Sequence, residues 1–454
     1  MSLTGELTRI VGPAGVLTEA GDLIAYASDH KAVGVPPLVV VLPAETRQVA
    51  EIVRVCAARR IALIPRGAGT GTVGGVVPEA PAVVLDLSRL NRLLGVDRAN
   101  LLADAEAGMI TGDFQRAMED QGLFFPPDPA SRDISTLGGN AATNAGGMRA
   151  VKYGVTADWI AALEVVLADG RTIRAGVRTR KGVVGYDLKH LFIGSEGTLG
   201  VITALTLRLI PKPAARHTVL GIFPELATAG RAIHAILHGG ATPAAMELMD
   251  AVALDAVRGR IGDLIPPGHA TLLIDTDGDA DRAARDAETI GRLLRESGAT
   301  EVRRAADKKE ADQLWSARRA ISPALYEIRP NKIADDITVP VSRLIELFAG
   351  VTRIARKHRL LHACYGHAGD GNVHVNLLYD PQNGDEAERA RLAREEIFRL
   401  TLALGGTLSG EHGVGSTKRA FLPWEQSAAL IDLQRRLKRT FDPLDILNPG
   451  KVFP

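Results

Sequence analysis

At 454 residues the chain is too long for one hydrophobic core, so two or three domains are expected. Its 54 basic and 53 acidic side chains nearly cancel to +1, and aromatics make up only 4%. Neither the charge nor the stacking surface of a nucleic-acid binder is present, and nothing favours an anionic membrane.

Hydrophobic content of 46% and charged content of 24% are ordinary for a globular protein. No run approaches the ~18 apolar residues needed to span a bilayer. The opening MSLTGELTRIVG lacks an apolar core of signal-peptide length, so a cytoplasmic location is the expectation.

Residues 38–42, LVVVL, predict a buried strand bounded by prolines. Residues 45–60 follow with Val49, Ile52, Val53 and Cys56 at helical spacing. A second strand, 61–65, leads into RGAGTGTVGG, residues 66–75. Gly69, Gly71 and Gly74 fit GxGxxG, but the dinucleotide fingerprint also needs a helix opening at the loop. Here VVPEAPAVVLDL follows, with Pro78, Pro81 and another strand, so the Rossmann reading fails. A glycine loop of closely spaced N–H groups remains, a shape that cradles pyrophosphate.

Two more glycine clusters follow. Residues 131–154, SRDISTLGGNAATNAGGMRAVKYG, carry Gly138, Gly139, Gly146 and Gly147, with Asn140, Thr143 and Asn144 among them. Such a segment cannot pack a core of its own, but it lets backbone approach a large flat ligand. GSEGTLGVIT at 194–203 carries Gly194, Gly197 and Gly200 and runs into an apolar strand. Three clusters in one region suit a long cofactor with a pyrophosphate and a fused ring.

Pro211, Lys212 and Pro213 form a natural linker. Beyond it, strand-like 271–276 and helix-like 281–297 alternate sheet and helix patterns, and 380–389 reads as an exposed loop entering a charged helix. In YGHAGDGNVHVN, residues 365–376, His367 and His374 flank Gly369-Asp370-Gly371. On one strand an offset of seven puts the rings on opposite faces. Gly-Asp-Gly supplies a turn, and a strand at 373–378 then aims both imidazoles at one point, with Asn376 on the His374 face. Two hydrogen-bonded core histidines beside a turn account for this stretch equally well. In SGEHGVG, residues 409–415, Glu411 and His412 are adjacent between glycines. Two imidazoles and one carboxylate match metal sites with three protein ligands and an open position. Neither Cys56 nor Cys364 belongs to a CxxC pair, which excludes thiolate-held iron–sulfur clusters on this chain.

PRGAGTGTVGG, PPDPAS, TLGGNAATNAGG and LFIGSEGTLGVIT resemble the FAD-binding domain of the vanillyl-alcohol-oxidase/PCMH flavoprotein superfamily. GHAGDGNVHVN, SGEHGVG and FDPLDILNPGK resemble its D-2-hydroxyacid dehydrogenase branch, which includes D-lactate and D-2-hydroxyglutarate dehydrogenases and the flavin subunit of glycolate oxidase. The resemblance implies an α+β fold. A PCMH-type FAD-binding domain of two α+β subdomains spans 1–213, and a cap domain on an antiparallel sheet flanked by helices spans 214–405. Residues 406–454 then return to the FAD.

By the same resemblance FAD is held by Pro65, Arg66, Gly67, Ala68, Gly69, Thr70, Gly71 and Gly74 in the first cluster. Pro127, Asp128, Ser135, Gly138, Gly139, Asn140, Thr143, Asn144, Gly146, Gly147 and Gly154 follow in the second, then Glu196, Gly197, Gly200, Ile202 and Asn448. No histidine or cysteine stands in 65–75 or 131–154, so non-covalent FAD is expected. His367, His374 and Glu411 are expected to hold a divalent metal, zinc first and manganese or iron as alternatives, with His412 as base. Arg318, in LWSARRAISPA, is expected to grip a substrate carboxylate, with Lys332 as a second candidate for that task and Asn376 bonding substrate or flavin.

The implied reaction is oxidation of a D-2-hydroxy acid to the 2-oxo acid. Electrons would pass to an external quinone, cytochrome, electron-transfer flavoprotein or iron–sulfur partner subunit, and through such a partner the protein would sit against a membrane. A homodimer is compatible with the resemblance. The competing readings are an oxygen-using oxidase, an alkylglycerone-phosphate-synthase-like transferase and a flavin subunit of a larger complex.

Overall fold

A computed structural model describes residues 1–261 and 264–454. The chain forms two units. One comprises Met1–Ala145, Val155–Lys212 and Glu411–Pro454, the other Gly146–Gly154 and Pro213–Gly410.

In the first unit, β1 (Val16–Leu17), β2 (Val39–Val41), β3 (Ala62–Arg66) and β4 (Ala82–Asp86) form a sheet in the order β1-β2-β4-β3. Both β2 and β3 run parallel to β4, so each crossover must return over the sheet. Helix α1 (Thr46–Arg59) makes the first crossover and buries Val49, Ile52, Val53 and Cys56 against Leu63, Val83 and Leu85. The glycine loop alone makes the second, which is why no helix opens there. The far edge of β3 is covered by the C-terminal segment. Leu63 N–H donates to Ile446 O at 2.7 Å, and Asn448 N–H to Leu63 O at 2.8 Å.

A second, antiparallel sheet holds β5 (Leu93–Asp97), β6 (Leu102–Glu106), β7 (Ile160–Val166), β8 (Thr172–Gly176) and β9 (Val201–Arg208) in the order β5-β6-β9-β7-β8. The short helix α2 (Leu137–Thr143), capped by Thr136, packs Leu137 and Ala141 into its core with Phe114, Phe125 and Phe192.

The second unit is built on seven antiparallel strands. They are β10 (Ala215–Phe223), β11 (Ala245–Met249), β12 (Ala270–Gly278), β13 (Glu301–Arg304), β14 (Asn331–Thr338), β15 (Leu361–His367) and β16 (Asn372–Tyr379), in the order β13-β10-β12-β11-β15-β16-β14. Helices α3 (Ala280–Glu296), α4 (Lys308–Ile328), α5 (Leu344–Lys357) and α6 (Gly384–Ala403) flank it. Helix α4 buries Leu314, Trp315 and Ile321 against Ala245, Met249, Leu273 and Tyr365 of one sheet face. Each unit is thus α+β, as expected.

Candidate functional site

The β15–β16 hairpin brings the two histidines together. Asn372 N–H donates to Asp370 Oδ1 at 3.2 Å, and Gly371 adopts φ 82°. A Cβ at Gly371 would stand 2.1 Å from Val339 O, so only glycine fits this turn. Across the turn Tyr365 pairs with His374. The strand reversal therefore puts His367 and His374 on one face, ring centroids 5.2 Å apart and planes at 85°.

Cross-strand partners complete that face. Glu247 lies directly opposite His367, and Asp336 opposite His374. Glu247 is fully buried, as its position in the all-buried strand AMELM requires. His367 Nδ1–H donates to its Oε1 at 2.6 Å, and Arg318 Nε–H from α4 donates to Oε2 at 2.8 Å. Burial opposes ionisation of this carboxyl, but the charges of Arg318 and His367 outweigh it and hold it below the ordinary carboxylate range. Arg318, read as a helical arginine, is only 7% exposed, its guanidinium 4.7 Å from the Tyr365 ring centroid.

Asp336, also buried, accepts from Asn372 Nδ2 and from Gly410 N–H, the latter at 2.9 Å. Asn376 Nδ2 donates to His374 O at 3.1 Å, while its buried Oδ1 has no hydrogen-bond partner among the described residues. Lys332 Nζ donates to Ser322 O and Oγ at 2.6 and 2.9 Å. Thus Arg318, His367, His374 and Asn376 share one face, and Lys332 stands on the same face of β14, tied to α4.

Sequence reasoning missed Glu247, Asp336 and Tyr365. A glutamate between Met246 and Leu248 in an otherwise apolar strand was the available signal. The opposite face carries Asp250, His362 and Cys364, whose donor atoms lie within 4.8 Å of one another. Asp250 is occupied there as a helix cap: it accepts from Ala253 N–H at 2.8 Å and Cys364 N–H at 2.5 Å.

In the first unit the glycine loop leaves β3 at Arg66, whose Nη1–H donates to Ser28 O at 2.9 Å. Asp29 holds the far end, accepting from Gly74 N–H at 2.7 Å. Among the described residues, no hydrogen bond runs from the backbone N–H groups of residues 67–73. A row of donors without protein acceptors on a half-exposed loop fits an anionic ligand. Gly67, Ala68, Gly69, Thr70 and Gly71 lie in this row. Gly67 approaches Thr136 so closely that a Cβ would meet its Oγ1 at 2.4 Å.

Around α2, Gly138 N–H donates to Ala107 O and Gly139 N–H to Thr136 Oγ1. Asn140 Nδ2 donates to Thr111 Oγ1, Thr143 Oγ1 to Gly139 O, and Asn144 Oδ1 accepts from Ala157 N–H. Pro127 O accepts from Gln115 Nε2, Asp128 pairs with Arg132, and Ser135 O accepts from Thr111 N–H. Gly146, Gly147 and Gly154 belong to the second unit, where neighbouring Tyr153 donates to Asp277.

Glu196 is buried, and its carboxylate accepts from Val414 N–H at 2.7 Å and Gly415 N–H at 2.8 Å. Burial raises its pKa against these two bonds. Gly197, at φ 73°, packs on Pro65; Gly200 lies just before β9 against Val165 and Phe192, and Ile202 enters the core. Asn448 Nδ2 donates to Gly75 O and Glu196 O, and its buried Oδ1 has no partner among the described residues. In the same unit His412 Nε2 stands 3.8 Å from Glu411 Oε1.

The FAD binding domain family matches residues 37–176, and the FAD linked oxidases C-terminal domain family matches 212–452. A Bacillus subtilis protein named glycolate oxidase subunit GlcD is 41% identical over 99% of this chain and 96% of its own. The chain belongs to the FAD-linked oxidase family. A D-2-hydroxyglutarate dehydrogenase of Stutzerimonas stutzeri is 32% identical over 100% of this chain and 99% of its own. The solved structure of p-cresol methylhydroxylase shares the fold at TM-score 0.84 and 19% identity, over 99% of this chain and 96% of that one. This FAD-linked oxidase has the PCMH-type FAD-binding domain of its family. Its unpaired loop amides and the orphaned Asn448 Oδ1 fit FAD, whose phosphates accept and whose hydroxyls donate. No helix among the described residues is long and apolar enough to cross a membrane.

Proposed function

We propose that this chain oxidises a small D-2-hydroxy acid to the 2-oxo acid, with non-covalent FAD and an external electron acceptor. The observation that carries this reading is the buried face where one carboxylate, Glu247, holds both Arg318 and His367 beside His374. Burying a guanidinium and one imidazole, with the partly buried His374 beside them, has a purpose where an anionic hydroxy acid must be held. The names of two relatives, a glycolate oxidase subunit and a D-2-hydroxyglutarate dehydrogenase, support that substrate class.

Bound FAD supplies the hydride acceptor, and a divalent cation supplies Lewis acidity that lowers the hydroxyl pKa. In this reading His367 and His374 would hold the cation together with Glu411, two imidazoles and one carboxylate with a position left open. Arg318 holds the carboxylate through the N–H groups not given to Glu247. His412 takes the hydroxyl proton onto its imidazole. Asn376 Oδ1 accepts a substrate hydrogen bond, and Lys332 adds positive charge on the same face.

Mixing the purified yellow protein anaerobically with paired D and L acids tests the proposal: glycolate, the two lactates and the two 2-hydroxyglutarates. Bleaching of the flavin by glycolate or a D acid is expected. Bleaching by L acids alone, or by none, overturns it.

A further inference from the structure

We infer that Glu247 is a positioning residue that fixes the tautomer of His367 and the orientation of Arg318 with one carboxylate. Its role in turnover rests on the hydroxy-acid reading above; its effect on His367 does not. A carboxylate can only accept, so the 2.6 Å contact places the proton of neutral His367 on Nδ1 and the lone pair on Nε2. The other oxygen takes Arg318 Nε–H. Both oxygens are thus used, each by a different functional group.

A carboxylate needed only to neutralise Arg318 would have no reason to stand directly across from His367. Nor does the strand require it, because Met246 and Leu248 beside it are apolar and buried. A histidine ligand whose second nitrogen donates to a carboxylate is held in both ring angle and tautomer, and loss of such a partner typically costs 10–100-fold in metal affinity. Glutamine cannot replace Glu247, since its amide offers one acceptor where two donors arrive.

The test uses FAD-loaded, chelator-treated protein carrying [15N]histidine, at a pH where the imidazole is neutral. Long-range 15N–1H spectra read the tautomer, with His367 assigned by its loss in His367→Gln. Wild type should show His367 protonated at Nδ1, and Glu247→Gln should shift it towards Nε2–H. Equilibrium dialysis against Zn2+ should then show an affinity 10–100-fold weaker in the variant, at equal FAD content. Glu247→Asp, which keeps both acceptors, should recover the Nδ1–H form. If Glu247→Gln does not fold, Glu247→Leu with Arg318→Met removes both charges together and still reads His367. An unchanged Nδ1–H tautomer overturns the assignment, as does a Zn2+ affinity within twofold of a wild type that binds zinc. A tautomer switch in a protein whose wild type binds no Zn2+ sinks the cation reading and leaves Glu247 in its assigned role.

Discussion

At Asp250, burial and hydrogen bonding pull one carboxyl in opposite directions. Burial dominates and pushes the pKa up to about 7, although backbone N–H groups, Ala253 and Cys364 first among them, favour the anion. The folded chain therefore holds this proton at pH values where the unfolded chain has released it. Stability from the neutral form is complete below the unfolded value of 3.8 and is lost as pH rises through about 7. Asp250→Asn cannot ionise; it keeps an acceptor for Ala253 N–H and loses the one for Cys364 N–H, a cost that does not vary with pH. Urea unfolding of both proteins from pH 4 to 8 should show wild type falling relative to Asp250→Asn across that window. Parallel pH profiles would mean the carboxyl ionises normally.

At Glu196 burial likewise raises the carboxyl against two backbone partners, here on the C-terminal segment rather than at a helix end. Glu196→Ala strands the Val414 and Gly415 N–H groups, each costing about 1–3 kcal/mol if left unpaired. A loss of several kcal/mol in urea unfolding is expected. A loss below about 1 kcal/mol would mean that the C-terminal segment is held by its other contacts.

Elements were legible where one face of a local pattern decides them. The stripe Val49, Ile52, Val53 and Cys56 placed α1, and the Gly-Asp-Gly turn placed the β15–β16 hairpin. Partners far apart in the chain were not legible. Glu247 meets Arg318 and His367 across separations of 71 and 120 residues, which no local period encodes. The return of residues 406–454 was implied by the family resemblance, but their pairing with β3 was not legible, for the same reason.

The glycine loop allows a clean test at this scale. A Cβ on Gly71 has open space, its nearest protein atom being Asp29 Oδ2 at 4.0 Å. Gly71→Val should therefore fold with a Tm near wild type, yet lose most FAD because the added methyls occupy the row of amides. Stoichiometric flavin in that variant would move the cradle elsewhere.

At the scale of the whole molecule, the glycine loop belongs to the first unit and the paired histidines to the second. Substitutions in the glycine loop and at the paired histidines are consequently expected to have separate effects. His374→Ala removes one imidazole from the second unit's sheet and touches nothing in residues 67–73. It should keep FAD near wild-type content and lose the cation by elemental analysis. Turnover should then fall by about 10³-fold, since Lewis-acid stabilisation is worth several kcal/mol and each 1.36 kcal/mol is a factor of ten. Gly71→Val should do the converse, keeping metal and losing flavin. Acid precipitation of wild type should leave yellow FAD in the supernatant, as expected for a flavin with no histidine or cysteine in the glycine segments to tether it. A chelator-treated wild type, free of metal by elemental analysis, should retain FAD and fail to bleach with glycolate or D-lactate. Full bleaching by that metal-free sample would leave His367 and His374 as substrate contacts, with Glu247 orienting a hydrogen-bond partner rather than a metal ligand.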